Sequence, residues 1–154
     1  MKREFKIRRV REEEIKSIIE INMRNLPEHY PEFFYRNIFE NWPESFLVAE
    51  VNGKIVGYIM CRVEKHIHGL RIVKKGHVIS IAVEKEYRRR GIGEALMRRA
   101  EEVLKNKVEY MFLEVRVSNM PAISLYKKLG YKIIRRIPFY YSDGEDAYLM
   151  EKEV

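Results

Sequence analysis

The sequence predicts a mixed α/β fold, a central, mostly antiparallel sheet of about seven strands with four helices, in a single domain over residues 1–154. Three observations lead there. Short apolar runs with alternating patterns are interspersed with amphipathic segments of helical period. Asn52-Gly53 separates two such runs, and Asn-Gly accepts the positive φ angles of a two-residue hairpin turn. Val78 to Val83, a β-branched run, feeds a helix through the basic, glycine-containing turn Arg88-Arg89-Arg90-Gly91-Ile92-Gly93.

The elements follow in order. Phe5-Lys6-Ile7-Arg8 alternates as a half-buried first strand. From Glu12, the residues Ile15, Ile18, Ile19 and Met23 recur as one helical face, which stops before Leu26-Pro27. Pro31 starts a second helix carrying Phe34, Tyr35, Ile38 and Phe39, ending near Trp42-Pro43. Phe46–Val51 and Lys54–Val63 are strands two and three, and the basic stretch Lys65 to Lys75 reads as a loop. Val78–Val83 is strand four. Ile92, Leu96, Ala100, Val103 and Leu104 then mark the third helix. Met111–Val117 is strand five, with Glu114 and Arg116 opposite Leu113 and Val115. Ser118-Asn119 offers capping oxygens to a fourth helix lined by Ala122, Leu125, Tyr126 and Leu129 and ended by Gly130. Tyr131–Ile137 is strand six, and the turn Asp143-Gly144 precedes a last strand through Ala147–Met150.

Composition narrows the function classes. The longest apolar runs fall short of the roughly 18 residues a membrane span needs, and Met1-Lys2-Arg3-Glu4 has no apolar stretch behind its charges. A cytoplasmic protein with no membrane contact is expected. The single cysteine, Cys61, excludes an internal disulfide framework and a multi-cysteine zinc site. The net charge of +7 favours an anionic partner, whether nucleic acid, membrane surface or phosphorylated small molecule. Absence of Gln and Thr, with abundant Lys, Arg and Glu, is a thermophile-like bias.

The turn from Arg88 to Gly93 is built to hold phosphate. Gly91 and Gly93 let a ligand approach the backbone, and the following helix start offers unpaired N–H groups and a positive dipole end. Taken alone, the same turn is also what a solvated basic helix start looks like.

The element order, with Arg88-x-x-Gly91-x-Gly93 between strand four and its helix, resembles the GNAT superfamily of acetyl-coenzyme A-dependent N-acetyltransferases over essentially the whole chain. Asn119, Ala122, Leu125-Tyr126 and Gly130-Tyr131 also match. Leu26-Pro27-Glu28-His29-Tyr30, Gly76–Val83, Arg116-Val117-Ser118-Asn119 and above all Tyr140-Tyr141-Ser142-Asp143-Gly144-Glu145-Asp146-Ala147-Tyr148 look like the catalytic subunits of protein N-terminal acetyltransferases, of the Ala/Ser type and its archaeal relatives.

This resemblance implies a GNAT fold with acetyl-CoA as cofactor. Arg88, Arg89, Arg90, Gly91, Ile92 and Gly93 would carry the pyrophosphate, Ile81-Ala82-Val83 would pair its backbone with the pantetheine arm, and Asn119 and Tyr126 would complete the cofactor site. The Val83 N–H would hold the thioester oxygen, where a preorganised donor stabilises an oxyanion. Tyr126 takes the place of the general acid facing the thiol; otherwise it is a core aromatic.

A protein N-terminus is a comparatively undemanding substrate, since an α-amine has a pKa of about 7.7–8.0 against about 10.4 for lysine. Glu28, His77 and Glu114 are the candidate bases, acting directly or through water. Glu114 departs from the eukaryotic relatives, which have histidine there, and a carboxylate serves as base only if its surroundings raise its pKa, a shift Arg116 opposes. Each of the three has an equally good structural reading. Leu26, Pro27, Glu28, Tyr30, Tyr140 and Tyr141 line the peptide entrance in this reading. Two other features are weaker. His66-x-His68 lacks a third metal ligand, so no metal is expected, and Cys61 has no adjacent base to make it an acyl-carrying nucleophile.

The function expected is transfer of acetyl to protein N-termini by direct attack in a ternary complex, by a monomer with ribosome association left open. The alternatives are a lysine or small-molecule acetyltransferase of the same fold, and a non-enzymatic RNA- or ribosome-binding module.

Overall fold

The computed structural model describes residues 4–154. The reading of the N-terminal charges therefore falls, at Met1 to Arg3, outside the described residues. Seven strands form one sheet in the order β1-β2-β3-β4-β5-β7-β6: β1 (Lys6–Arg9), β2 (Phe46–Val51), β3 (Lys54–His68), β4 (Arg71–Val83), β5 (Tyr110–Arg116), β6 (Lys132–Ile137) and β7 (Ala147–Glu153). Four helices accompany them: α1 (Ile15–Asn25), α2 (Glu32–Asn41), α3 (Ile92–Leu104) and α4 (Met120–Lys128). No helix among the described residues is long and apolar enough to cross a membrane.

The chain resolves into two compact units. One holds the residues up to Arg62 with Val78–Leu104; the other holds Val63–His77 with Lys105–Val154. Strands β3 and β4 run through both.

In the first unit β1 pairs antiparallel with β2, and β2 with β3, the register shifting between Ala49 and Glu50. Alternation sends Phe46, Val48, Tyr58 and Met60 to one face, where they form a core with Ile15, Ile18 and Ile21 of α1 and Tyr35 and Ile38 of α2. Fully burying each isoleucine of this set is worth about 1.5–3 kcal/mol, which is what holds the two short helices on the sheet. Helix α3 packs against β1 and β2, with Ile92, Leu96, Met97, Ala100 and Leu104 buried.

In the second unit β5 is the centre. It pairs parallel with β4 from Lys75↔Tyr110 to His77↔Phe112, and antiparallel with β7 along its whole length. β7 pairs in turn with the edge strand β6.

Several sequence expectations need correction. The stretch Lys65 to Lys75 is not a loop: β3 runs on to His68, a tight turn at Gly69-Leu70 reverses the chain with Gly69 at φ +63, and β4 begins at Arg71. Lys65, His66, Lys74 and Lys75 masked a strand pattern, because solvated charges such as Lys65 and Lys74, and a lysine buried in an ion pair with Glu151 such as Lys75, all read as loop composition. Met23 is exposed, not on the buried face of α1. Glu12–Glu14 is a separate single-turn helix, so α1 starts only at Ile15. On α4 the deepest residues are Ile123 and Tyr126, with Ala122 and Leu125 only half-buried. Ile133 on β6 is exposed, as an edge strand allows.

Candidate functional site

The turn from Arg88 to Gly93 lies in the first unit. A single helical turn, Lys85–Tyr87, ends β4, and the chain then passes through Arg89 at φ +64 and Gly91 at φ +83 into α3. Two left-handed residues so close together bend the backbone sharply, and only Gly91 does so without steric cost. The thirteen-residue α3 presents first-turn N–H groups that have no acceptor within the helix. The arginine side chains do something else. Arg88 donates to the Val83 carbonyl at 3.0 Å and to Asn25 Oδ1 at 3.0 Å, and Arg90 donates to the Glu86 carbonyl at 3.2 Å and lies over the Tyr87 ring. Those two guanidinium groups brace the turn, leaving the first-turn N–H groups of α3 as its available donors.

The end of β4 is clamped from α1. Glu84, nearly buried, accepts from Arg24 Nη2 at 2.6 Å and Asn25 Nδ2 at 2.7 Å, and its own N–H donates to the Val56 carbonyl at 2.8 Å. The Arg24 guanidinium, with help from Asn25, lowers the Glu84 pKa against the opposing effect of burial. Beside this clamp, Gly57 permits β3 to approach Ala82 and Val83: a β-carbon on Gly57 would stand 3.0 Å from the Ala82 carbonyl oxygen. The first unit also holds Leu26, Pro27, Glu28 and Tyr30 in the connection from α1 to α2. The Glu28 carbonyl accepts from Asn22 Nδ2 at 3.1 Å, Tyr30 stacks on Phe34, and the Tyr30 hydroxyl donates to the Ile79 carbonyl of β4 at 3.3 Å.

The second unit holds His77, Glu114, Asn119, Tyr126, Tyr140 and Tyr141. His77 lies between two carboxylates, with Nε2 2.7 Å from Glu114 Oε1 and Nδ1 2.8 Å from Glu64 Oε2. Its ring stacks on Phe112 at 4.2 Å. Burial disfavours a charged imidazole there, but the Glu114 and then the Glu64 carboxylate outweigh it and raise the His77 pKa. Tyr126 is buried on α4, and that burial pushes its phenol up to about 12, so it stays protonated at neutral pH. Asn119 caps α4, its Oδ1 accepting from the Ala122 N–H at 3.3 Å.

The segment from Tyr140 to Tyr148 is organised by its acidic residues. Arg116 Nη1 donates to Asp143 Oδ2 and Glu145 Oε1, each at 2.8 Å, while its guanidinium lies 4.2 Å from the centre of the Tyr141 ring. Glu145 also accepts from the Ser118 N–H, and Asp146 ties the Phe139 N–H to Arg136. Tyr140 packs edge-on against Tyr141.

Glu64, Glu84 and Gly57 are residues that sequence reasoning missed. Glu64 had a readable signal: once β3 is extended to His68, Glu64, His66 and His68 fall on one face. His66 bonds Glu64 at 3.1 Å, and the described residues hold no group of three or more ligands suited to a metal ion. Cys61 is wholly buried, and burial raises its thiol pKa, which disfavours the nucleophilic thiolate.

Comparison with known proteins agrees with this architecture. The acetyltransferase (GNAT) family matches residues 15–131. An N-alpha-acetyltransferase of Sulfurisphaera tokodaii is 49% identical, over 96% of this chain and 92% of its own. The crystal structure of Ard1 from Thermoplasma volcanium superposes with a TM-score of 0.84 at 33% identity, covering 98% of each chain. Naa50 of Arabidopsis thaliana, in complex with the bisubstrate analogue CoA-Ac-MVNAL, superposes with a TM-score of 0.85 at 26% identity, covering 98% of this chain and 99% of that one. By the family match over most of its length, and by relatives of this identity, the chain belongs to the GNAT acetyltransferase family, alongside the N-alpha-acetyltransferases.

Proposed function

We infer that this chain transfers the acetyl group of acetyl-CoA to the α-amine of protein N-termini. The observation that carries the reading is that a chain half identical to an N-alpha-acetyltransferase holds both the left-handed backbone bend at Arg89 and Gly91 and the ordered Tyr140–Tyr148 segment. Acetyl-CoA fits the residues present: the bend at Arg89 and Gly91 together with the α3 first turn suits a pyrophosphate, and Gly57 keeps the neighbouring strand clear beside Ala82 and Val83. When bound it supplies an acetyl group already activated as a thioester.

Arg88 to Gly93 would hold the phosphates through backbone N–H groups, and Ile81 to Val83 would align the pantetheine arm, the Val83 N–H serving as a hydrogen-bond donor to the thioester oxygen. Asn119, while capping α4, fixes the start of the helix that carries Tyr126. Tyr126 donates a hydrogen bond to the departing sulfur. With a phenol pKa of about 12, it stabilises a thiolate more readily than it surrenders its proton outright. Glu114, backed by His77, accepts the amine proton. Leu26, Pro27, Glu28 and Tyr30, with Tyr140 and Tyr141, receive the peptide, Glu28 drawing in its ammonium group. Attack is direct, because the one thiol of the chain is buried. The protein works as a cytoplasmic monomer, a single functional domain.

Peptides beginning Ser, Ala, Met-Leu and Met-Glu, and N-terminally blocked peptides containing lysine, are incubated with acetyl-CoA and followed by mass spectrometry. Acetylation of the free α-amines is expected. Acetylation of the blocked lysine peptides alone would make the protein a lysine acetyltransferase of the same fold.

A further inference from the structure

Glu114 is one end of a continuous hydrogen-bonded chain of alternating carboxylates and imidazoles. His77 bridges Glu114 and Glu64 through its two ring nitrogens at 2.7 and 2.8 Å, and the second oxygen of Glu64 lies 3.1 Å from His66 Nε2. The two ends differ in access: the side chain of Glu114 is 15% exposed and that of His77 13%, whereas that of His66 is 34% exposed. Phe112 fixes both rings, stacking on His77 and meeting His66 edge-on. All four groups lie on the hairpin of β3 and β4 and on β5, rigid elements whose side chains are held in register.

We propose that His66–Glu64–His77–Glu114 is a proton exit relay, in which Glu64 and His66 carry the proton taken from the substrate amine out to solvent. The proposal rests on the functional reading above, and the chemistry requires such an exit. An ammonium substrate that becomes an amide forms one C–N bond, breaks the C–S bond of the thioester, and loses two protons from nitrogen. One ends on the coenzyme A sulfur. The other must leave the protein once per turnover.

Glu114 need not hold that proton until it meets water. Glu114 instead accepts it as His77 passes its Nδ1 proton to Glu64 and takes up the Glu114 proton at Nε2. Glu64 hands the proton to His66, which gives it to water. One proton has then moved and His77 is left as its Nε2–H tautomer, which returns to the Nδ1–H tautomer by exchange of its ring protons with water before the next turnover.

Two basic residues beside the relay, Lys75 and Arg116, have carboxylate partners of their own. Lys75 of β4 is paired with Glu151 of β7 at 2.6 Å and lies over the rings of Tyr110 and Phe112. Arg116 of β5 is committed to Asp143 and Glu145.

Glu64 and His66 act through His77, so they are positioning and relay residues, not catalytic ones. The test measures kcat against pH, buffer concentration and solvent deuterium content for the wild type, Glu64→Gln, Glu64→Asp and His66→Gln, using a Ser-initiated peptide. Wild-type turnover comes first: its absence on every α-amine peptide overturns the functional reading and the relay with it.

Given that turnover, Glu64→Gln is expected to lower kcat roughly 10- to 100-fold, raise the solvent isotope effect and displace the pH profile, with partial recovery in Glu64→Asp. His66→Gln, at a partly exposed position that tolerates the change, is expected to lose about tenfold in dilute buffer and to regain it as imidazole is added. Unchanged pH profiles and isotope effects in both glutamine variants, or a His66→Gln rate that imidazole does not move, would overturn the relay while leaving the function intact. If Glu64→Gln fails to fold, the imidazole response of His66→Gln decides alone.

Discussion

Gly57 of β3 lies so near Ala82 of β4 that a β-carbon on it would approach the Ala82 carbonyl oxygen to 3.0 Å and a Val83 methyl to 3.3 Å. Backbone oxygen cannot swing away as a flexible side chain does, so the strand assigned to the pantetheine arm owes its position to a missing side chain.

Gly57→Ala therefore should displace Ala82 and Val83. Overpacking of this kind costs about 1–3 kcal/mol of stability, and the KM for acetyl-CoA should rise while the KM for peptide changes less. Thermal denaturation and initial rates check this; an unchanged acetyl-CoA KM would separate Gly57 from the cofactor.

Arg116 predicts the opposite pattern. Its two carboxylate partners and its contact with Tyr141 order the segment from Tyr140 to Glu145, so Arg116→Ala should raise the peptide KM roughly 10- to 100-fold, as misplacement of a positioning segment does. The KM for acetyl-CoA should stay near the wild-type value. Equal loss on both substrates would point to general unfolding of the second unit.

Tyr126→Phe removes one buried hydroxyl and keeps the ring that packs near Tyr131. The kcat should fall about 100-fold or more with the protein still folded, the scale of a lost hydrogen-bond donor to a developing charge. Because the phenol pKa is pushed up to about 12, the wild-type rate should show no alkaline loss due to this residue below about pH 10.

His77 couples charge to stability. Its pKa is raised on folding above the ordinary 6.5, so the folded state binds its proton more tightly. The stabilisation is fully present below about pH 6.5 and is lost as pH climbs through the raised value. The difference in melting temperature between wild type and His77→Gln should be largest near pH 6 and shrink by pH 9. A difference constant across that range would mean that His77 contributes packing only.

Cys61→Ala should leave kcat unchanged, and initial-rate plots against both substrates should intersect. The thiol is wholly buried and shifted away from its reactive form. Parallel plots, the mark of a covalent acyl-enzyme, would contradict direct attack.

How far the sequence could be read depended on whether a signal was local. The hairpin at Asn52-Gly53, the strand, turn and helix around Gly91, and the cap at Asn119 are decided by residues a few positions apart, and all three stand in the structure. The hairpin of β3 and β4 was lost between Lys65 and Lys75, since its solvated charges hide a two-residue alternation. With it went Glu64, and hence the second carboxylate on His77. Arg116 was read against Glu114, two positions along its own strand, whereas its partners are Asp143 and Glu145, about thirty residues on. Arg88 and Arg90 were expected to serve the turn mainly through backbone N–H groups, and what their side chains do, donating to the Val83 and Glu86 carbonyls, is something composition does not encode.

The most direct test uses one peptide that carries both a free N-terminal serine and an internal lysine, incubated with the protein and acetyl-CoA near neutral pH and sequenced by tandem mass spectrometry. Acetyl on the serine α-nitrogen, with the lysine unmodified, is the predicted result. Acetyl on the lysine with a free serine amine would contradict the account.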